Sequence, residues 1–177
     1  MTSPVRRDSW LRGRAALKRL LTALGEADDT STLRFPHPRV SLTHSGGWAV
    51  AVGGTPDLLG IGVDLEVRVP PRAETSRRFL SDGEIEWIGR LGEAERPRTL
   101  LRLWTVKEAA YKADPGNGGA SFRDYTLDDP AQLCGTILRR PSGPLFRHGS
   151  FEVSGGFLSL AILAKKATSY SGLKPWA

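Results

Sequence analysis

Residues 60 to 66 read Gly-Ile-Gly-Val-Asp-Leu-Glu, an alternation of apolar residues with glycines and acids. Successive side chains of a β-strand point to opposite faces, so this alternation predicts a strand, which extends back to Leu59. The apolar residues on one face are Leu59, Ile61, Val63 and Leu65. Asp64 and Glu66 share the other face, where they repel each other unless a cation neutralises them. Gly60 and Gly62 leave room beside these two carboxylates.

The second informative stretch, residues 104 to 112, reads Trp-Thr-Val-Lys-Glu-Ala-Ala-Tyr-Lys. A helix is predicted from Pro97, which suits a first helical position, to about Ala113, because the breaker Asp114-Pro115-Gly116 follows. At about 100° per residue, one broad sector of this helix carries Trp104, Glu108, Tyr111 and Lys112, with Lys107 at its margin. The carboxylate of Glu108 is therefore flanked by lysines.

These two stretches contain the residue types of a metal and phosphate site. Asp64, Glu66 and Glu108 could form a hard oxygen site for Mg²⁺, which takes one or two carboxylates and completes its shell with waters and substrate phosphates. Nearby lysines suit phosphoryl chemistry, where they stabilise negative charge. From spacing alone, a plainer interpretation stays open: a solvated or salt-bridged acid pair, and a Glu108/Lys112 helix ion pair worth about 0.3 to 0.5 kcal/mol.

The first 25 residues carry most of the net positive charge. They contain six Lys or Arg residues and the single acid Asp8, so their net charge is +5, against +6 for the whole chain. Asp8 or Ser9 can cap a helix that ends at Gly25. Its apolar positions at helical spacing are Leu17, Leu20, Leu21 and Leu24. Such a segment attracts a nucleic acid, a phosphorylated small molecule or an acidic protein surface, or it is simply a solvated helix face.

The rest of the chain predicts a hairpin, a further helix and several short strands. The hairpin joins residues 39–44 to residues 48–52 through Ser45-Gly46-Gly47. Ser81 begins a capping box that opens the helix. Turn signals then separate short strands near residues 121–127, 132–139, 145–153 and 157–164. These elements predict an α+β architecture, in which helices pack on largely antiparallel strands.

The composition indicates one folded domain over residues 1–177, with 40% hydrophobic and 25% charged residues. The longest apolar stretch, residues 157–164, is far shorter than the roughly 18 to 20 residues that cross a bilayer. No apolar stretch of a secretory signal follows the N-terminal arginines, and the single Cys134 cannot form an intrachain disulfide. We therefore expect a cytoplasmic protein with no membrane partner.

Four motifs follow one another along the chain: Ser41-Leu-Thr-His-Ser-Gly46, residues 60 to 66, Phe79-Leu-Ser81 to Glu84, and residues 104 to 112. Together they closely resemble the 4′-phosphopantetheinyl transferases of the larger, surfactin-synthetase-activating type. The small trimeric acyl-carrier-protein synthases place the second acid of the first acidic motif one residue later, so the spacing Asp64-x-Glu66 is similar to that of the larger type. The resemblance extends from about residue 9 to residue 164.

The resemblance implies a phosphopantetheinyl transferase fold of two unequal, pseudo-symmetric halves of antiparallel strands with packed helices. Residues 1–59 would form a shortened N-terminal half, and residues 60–177 a C-terminal half that carries the metal site. The implied reaction is Mg²⁺-dependent transfer of 4′-phosphopantetheine from coenzyme A to a serine of an acyl or peptidyl carrier protein, which leaves adenosine 3′,5′-bisphosphate. The larger type normally works as a monomer, and a dimer that covers an exposed core is the alternative.

The resemblance also implies roles for individual residues. Asp64, Glu66 and Glu108 would hold the metal, and Glu108 would also take the serine proton, directly or through a water. Lys112 and Lys107 would offset charge on the pyrophosphate. The expected contacts to coenzyme A are Thr43, His44 and Ser45, with its 3′-phosphate on one or more of Arg6, Arg7, Arg12 and Arg14.

Two other functions stay open at this point. A non-enzymatic, basic nucleic-acid binder agrees with the charged N-terminal segment and would bind any duplex with a strong dependence on salt. A Mg²⁺-dependent phosphodiesterase would use the same carboxylates. Neither accounts for the occurrence of the His44 motif together with the helix at residues 104–112, so no nucleic-acid partner is expected.

Overall fold

The computed structural model describes residues 4–67, 71 and 73–165. Its helices are α1 (Pro4–Ala23), α2 (Ala73–Ser76), α3 (Asp82–Gly89) and α4 (Arg96–Ala113), with a 3₁₀ helix at Phe122–Asp124. Its strands are β1 (Val40–Ser45), β2 (Trp48–Gly53), β3 (Leu58–Glu66), β4 (Tyr125–Leu127), β5 (Cys134–Arg139), β6 (Leu145–Val153) and β7 (Gly156–Ala164). The mixture of helices with antiparallel strands confirms the predicted α+β class.

A five-stranded antiparallel sheet in the order β3-β7-β6-β5-β4 forms the centre of the described residues. Helix α4 lies on this sheet and packs most closely on β3 and β7. The side chains between them are almost completely buried, among them Leu103, Val106, Ala109, Tyr125, Ile137 and Phe146. Because α4 is fixed by this core, the polar residues on its margin have a fixed position relative to β3.

Two glycines determine how closely α4 approaches β3. A Cβ atom on Gly60 would lie 1.7 Å from the carbonyl oxygen of Ala113, and a Cβ atom on Gly62 would lie 1.9 Å from that of Ala109. Both distances are impossible, so any other residue would force the helix away from the strand. The glycines therefore let the backbones of α4 and β3 touch. This contact places the C-terminal turns of α4 beside Asp64.

The strands β1 and β2 form a separate two-stranded antiparallel hairpin, as predicted. Gly46 and Gly47 at its turn have φ angles of +58° and +85°, which favour glycine. Helix α1 packs on the hairpin, with Gly13 against Leu42. The strand β1 lies beside the edge strand β3 of the large sheet. The hairpin therefore covers the edge that carries the two acids, and α1 packs on the hairpin.

The predicted start of α1 is wrong. The helix includes residues from Pro4 onward, so Asp8 and Ser9 lie inside it instead of capping it. Asp8 accepts a hydrogen bond from Arg12 at 2.7 Å, one helical turn later. The predicted end is confirmed, because Gly25 follows the helix with φ +70°. The apolar stripe is only partly buried: Leu17 and Leu21 are in the core, whereas Leu24 is exposed.

Other predicted elements hold with local corrections. The strand predicted near residues 121–127 begins as the 3₁₀ helix, because Ser121 caps it, and only Tyr125–Leu127 are extended. Pairing of β3 is irregular between Leu58 and Gly60, and Leu59 is exposed instead of joining the apolar face. Helix α4 matches its predicted bounds to within one residue. Within the described part of the chain, no helix is both long and apolar enough to cross a bilayer.

Candidate active site

Three charged side chains meet where α4 contacts β3. Asp64 is 2% exposed, and its Oδ1 atom accepts a hydrogen bond from Lys112 Nζ at 2.6 Å. The same ammonium lies 3.4 Å from Glu108 Oε2, because residues four apart share a helix face. It also donates to the Val63 carbonyl at 3.3 Å. The structure thus brings together Asp64, Glu108 and Lys112, three of the residues that the sequence named as candidates for the site.

The protonation of Glu108 reflects this crowding. Burial raises the pKa of Glu108 to about 7, and the nearby charge of Asp64 adds to the increase, while Lys112 opposes it. Burial disfavours the ionised carboxylate, and a second carboxylate has the same effect. A carboxyl group with a pKa near the working pH can both accept and return a proton. The chemistry open to Glu108 is therefore general acid and base catalysis as well as metal binding.

The hydroxyl groups of β1 point at the acids of β3. Thr43 Oγ1 donates to Asp64 Oδ1 at 3.1 Å, and Ser45 Oγ donates to Glu66 Oε2 at 2.9 Å. Both hydroxyl residues are buried. The family resemblance implies that Thr43 and Ser45 contact coenzyme A. Their hydroxyl groups point inward, onto the carboxylates, and Ser45 also lines a pocket at the turn of the hairpin.

The oxygen atoms near Asp64 fit Mg²⁺ in part. Asp64 Oδ2 is buried and has no hydrogen-bond partner in the described part of the chain. A free carboxylate oxygen beside a second carboxylate, Glu108, fits an ion that takes one or two carboxylates. Among the described residues, however, no three His, Cys, Asp or Glu side chains lie close enough together to hold a metal. The expected convergence of three acids is therefore not formed, and Glu66 bonds to Ser45 instead.

Lys107 does not reach this cluster, contrary to expectation. Its side chain is completely buried, and its ammonium lies 2.6 Å from Glu84 Oε2. It also donates to the Tyr125 carbonyl at 2.6 Å. Glu84 in turn accepts from the backbone N–H groups of Ser81 and Leu127. Lys107 therefore joins α4, α3 and β4, and its charge is not directed at the carboxylates of β3.

A shallow open pocket lies at the turn of the hairpin. It is lined by Asp8, Ser9, Arg12, His44, Ser45, Gly46, Gly47 and Trp48. His44 is exposed there, and Trp48 is 70% exposed. Of the four arginines named from the sequence, Arg12 lines this pocket, whereas Arg14 donates to the Thr30 carbonyl and stacks on Trp10. Arg6 and Arg7 lie exposed near the start of α1.

Sequence reasoning missed two features of this region. The first is the burial of the polar face of β1, which carries Ser41, Thr43 and Ser45. The alternation of these hydroxyl residues along the strand was the available signal. The second is the exposed ring of Trp48 at the pocket. Its place directly after the glycine turn, close to His44, was the available signal. Both features depend on where α1 and β3 lie relative to the hairpin.

Comparison with known proteins assigns the central part of the chain. A family model described as the 4′-phosphopantetheinyl transferase superfamily matches residues 60–154. This segment begins at the glycines of β3 and includes all of α4, so both acidic motifs lie within it. A search among curated proteins found no match. Since the family model covers more than half of the chain, the protein belongs to the 4′-phosphopantetheinyl transferase superfamily.

Proposed function

We propose that this protein transfers 4′-phosphopantetheine from coenzyme A to a serine of an acyl or peptidyl carrier protein, with Mg²⁺ and with adenosine 3′,5′-bisphosphate as the second product. The observation that carries the proposal is the contact of Lys112 with Asp64 and Glu108 inside the matched segment. Lys112 offers a positive group to a pyrophosphate, and the two acids would hold the Mg²⁺ ion that such a substrate needs beside them. Members of this family use coenzyme A as the donor.

In the proposed reaction, the serine oxygen bonds to the pantetheine-side phosphorus of the pyrophosphate. The bond from this phosphorus to the bridging oxygen breaks, and that oxygen leaves with adenosine 3′,5′-bisphosphate. Glu108 takes the serine proton, a role that its pKa of about 7 supports. Lys112, 31% exposed, offsets charge on the pyrophosphate.

Asp64 and Glu108 are the residues that would hold Mg²⁺. The unpartnered Oδ2 atom of Asp64 supports this assignment. When bound, the ion would neutralise charge on the phosphates during transfer. Glu66 remains a candidate ligand, although its Oε2 atom accepts a hydrogen bond from Ser45. We expect Glu66 to matter less than Asp64.

The nucleotide end of coenzyme A belongs, in this proposal, at the hairpin pocket. His44 and Arg12 supply positive or hydrogen-bonding groups for a phosphate, and the exposed ring of Trp48 lies beside them. We assign the phosphate to Arg12 because it lines the pocket, where it also pairs with Asp8, whereas Arg14 does not line the pocket and donates to the Thr30 carbonyl. The segment containing β1, β2 and α1 would then be the shortened N-terminal half of the larger type of transferase. The chain would act as a monomer of two unequal, pseudo-symmetric halves.

Mass spectrometry of an apo carrier protein incubated with the chain, coenzyme A and Mg²⁺ tests the proposal. We expect the carrier to gain one phosphopantetheine group, and a carrier whose acceptor serine is replaced by alanine should gain none. The Glu86→Gln variant is a matched control, because among the described residues Glu86 pairs with Arg90 alone, on an exposed helix face. It should retain full transfer, whereas Asp64→Asn should lose it.

No addition to any of several acyl and peptidyl carriers would contradict the proposal. Cleavage of nucleic acid, or salt-dependent duplex binding, would favour the other functions.

A further inference from the structure

Three buried hydroxyl groups fasten β1 to the edge of β3. Ser41, Thr43 and Ser45 accept hydrogen bonds from the backbone N–H groups of Val63, Leu65 and Val67, respectively, at 3.1 to 3.3 Å. The same spacing of 22 residues separates the partners in each bond, so the two strands run side by side in the same direction. Side chains of β1, not its backbone, make these bonds. We call these three residues the hydroxyl ladder.

The three residues of the hydroxyl ladder differ in the acceptor to which their hydroxyl group donates a hydrogen bond. A hydroxyl has one hydrogen and two lone pairs, so accepting from an N–H group leaves its hydrogen free to donate. Thr43 donates to Asp64, and Ser45 donates to Glu66. Ser41 accepts from Val63, and the residue before Val63 is Gly62, which has no side chain to accept a bond. The ladder therefore has one purely structural member and two that contact acids.

The hydrogen bonds to Asp64 are distributed unequally between its two carboxylate oxygens. Its Oδ1 atom accepts from both Thr43 Oγ1 and Lys112 Nζ, whereas its buried Oδ2 atom has no partner in the described part of the chain. Two donors on one oxygen, arriving from β1 and from α4, fix the rotation of the carboxylate. The free oxygen is then held in one direction. A buried carboxylate oxygen without a partner is costly unless another group binds it.

We propose that Thr43 is a positioning residue, whose hydroxyl turns Asp64 so that its free oxygen is ready for a divalent cation. Ser45 has the same relation to Glu66, with a smaller effect. The inference rests on the proposed function only in naming a divalent cation as the ligand. It assigns Thr43 to the carboxylate instead of to a phosphate of coenzyme A. Groups that orient metal ligands typically change metal affinity or activity by about 10- to 100-fold when they are removed.

The test compares Thr43→Val, Thr43→Ser and Ser41→Ala in the full chain. Thr43→Val keeps the shape and loses the hydroxyl, while Thr43→Ser keeps the hydroxyl. Ser41→Ala is the matched control, because it also removes a buried acceptor for a β3 N–H group but has no acid beside it. Mn²⁺ alone is titrated into each protein, and free Mn²⁺ is followed by electron paramagnetic resonance. Urea unfolding of each variant is measured in parallel, and Thr43→Ala replaces Thr43→Val if the latter does not fold.

We expect Thr43→Val to raise the dissociation constant for Mn²⁺ by about tenfold or more, and Thr43→Ser to restore it to within about threefold of wild type. Ser41→Ala should lower stability by a similar amount to Thr43→Val and leave Mn²⁺ binding within about twofold of wild type. Equal Mn²⁺ affinities for Thr43→Val and Ser41→Ala would overturn the inference, as would a wild-type protein that binds no Mn²⁺. Because no carrier protein is present, failure here is separate from failure of the transfer reaction.

Discussion

Two lysines on α4, five residues apart, form ion pairs of the same length and with opposite consequences. Lys107 lies 2.6 Å from Glu84 and is completely buried, while Lys112 lies 2.6 Å from Asp64 and is 31% exposed. The pair at Lys107 is closed, because backbone groups occupy the remaining atoms of both partners. The pair at Lys112 is open, because Asp64 keeps a free oxygen and Glu108 shares the ammonium. A closed pair contributes to the fold, and an open pair remains available for ligands.

The largest expected effect tests whether the open pair is catalytic. Glu108→Gln keeps the size of the side chain but cannot accept a proton, so we expect kcat for carrier modification to fall by 10²-fold or more, within a range of about 10² to 10⁴. This loss corresponds to about 2.7 to 5.4 kcal/mol. Glu66→Gln should lose less, because Glu66 has no proton to carry. The measurement is the initial rate of carrier modification with saturating substrates. Equal losses in both variants would count against Glu108 as the base and leave it as a ligand only.

The next effect tests whether the closed pair is structural. Lys107→Met leaves Glu84 charged and buried without its partner, so we expect a loss of about 3 to 5 kcal/mol in the free energy of unfolding. Urea denaturation measures it. The double variant Lys107→Met/Glu84→Gln should recover part of this loss, because the charge is gone while one acceptor oxygen remains. Arg90→Met breaks an exposed pair with Glu86 and should change stability by no more than about 0.5 kcal/mol.

A different outcome for Lys107 would reverse the comparison. If Lys107→Met kept the stability of the wild type but lost transfer, Lys107 would act on the pyrophosphate, as the family resemblance implies. The same denaturation and rate measurements on one variant therefore separate the two roles. Normal transfer by the remaining folded protein would agree with the closed pair.

A third buried group, His148 on β6, extends the comparison to a side chain without a hydrogen-bond partner among the described residues. His148 on β6 is buried, and neither ring nitrogen has a hydrogen-bond partner in the described part of the chain. Burial lowers the pKa of His148 to about 4, and the charge of Arg102 adds to the decrease. In the unfolded chain the pKa of His148 is near 6.5, so the unfolded state binds the proton first as the pH falls. The contribution of neutral His148 to the free energy of unfolding is therefore fully present above pH 6.5 and is lost as the pH falls toward 4.

The expected loss between pH 6.5 and pH 4 is about 3 kcal/mol in the free energy of unfolding. His148→Gln removes the titrating group, so its stability should change less over the same interval. Urea denaturation at several pH values measures both slopes. Parallel slopes for wild type and His148→Gln would show that His148 finds a partner in solution and is not an unpaired buried group.

The sequence predicted the parts of the site that depend on local periodicity. Alternation placed Asp64 on the polar face of β3, and helical spacing placed Glu108 with Lys112, and both placements agree with the structure. The separation of the two lysines could not be predicted, because Lys107 differs from Lys112 only in what packs against α4. Glu84, which decides this, lies more than 20 residues earlier in the chain. Local sequence patterns therefore predict which residues share a face of a strand or helix, but only tertiary contacts determine which of these faces lines a functional site.

The same limit applies at the hairpin, where the sequence did not predict the hydrogen bonds of Thr43 and Ser45 to acids. The hydroxyl residues of β1 lie beside His44, so the motif alone assigned all three positions to one ligand. Alternation along a strand sends Thr43 and Ser45 to the face opposite His44. Only the position of β3 shows that the hydroxyl groups of Thr43 and Ser45 meet acids, while His44 lines the pocket together with Ser45.

The smallest expected effect tests whether the pocket at the hairpin turn is a second region open to ligands. If His44 and Arg12 bind the 3′-phosphate of coenzyme A, His44→Ala or Arg12→Ala should raise KM for coenzyme A by roughly 10- to 150-fold, since a charge-assisted hydrogen bond contributes about 1.5 to 3 kcal/mol. Arg14→Ala is the matched control, because Arg14 bonds to the Thr30 carbonyl and should leave this KM nearly unchanged.

Dephospho-coenzyme A, which lacks the 3′-phosphate, decides what the pocket binds. With this donor the effects of His44→Ala and Arg12→Ala should largely disappear, because the group they bind is absent and the two changes are not additive. A carrier protein on the same surface would behave differently. KM for the carrier would rise, salt would weaken binding further, and dephospho-coenzyme A would behave like coenzyme A. In that case Arg12 and His44 would form part of a surface that binds the carrier protein, and they would not bind the 3′-phosphate of coenzyme A.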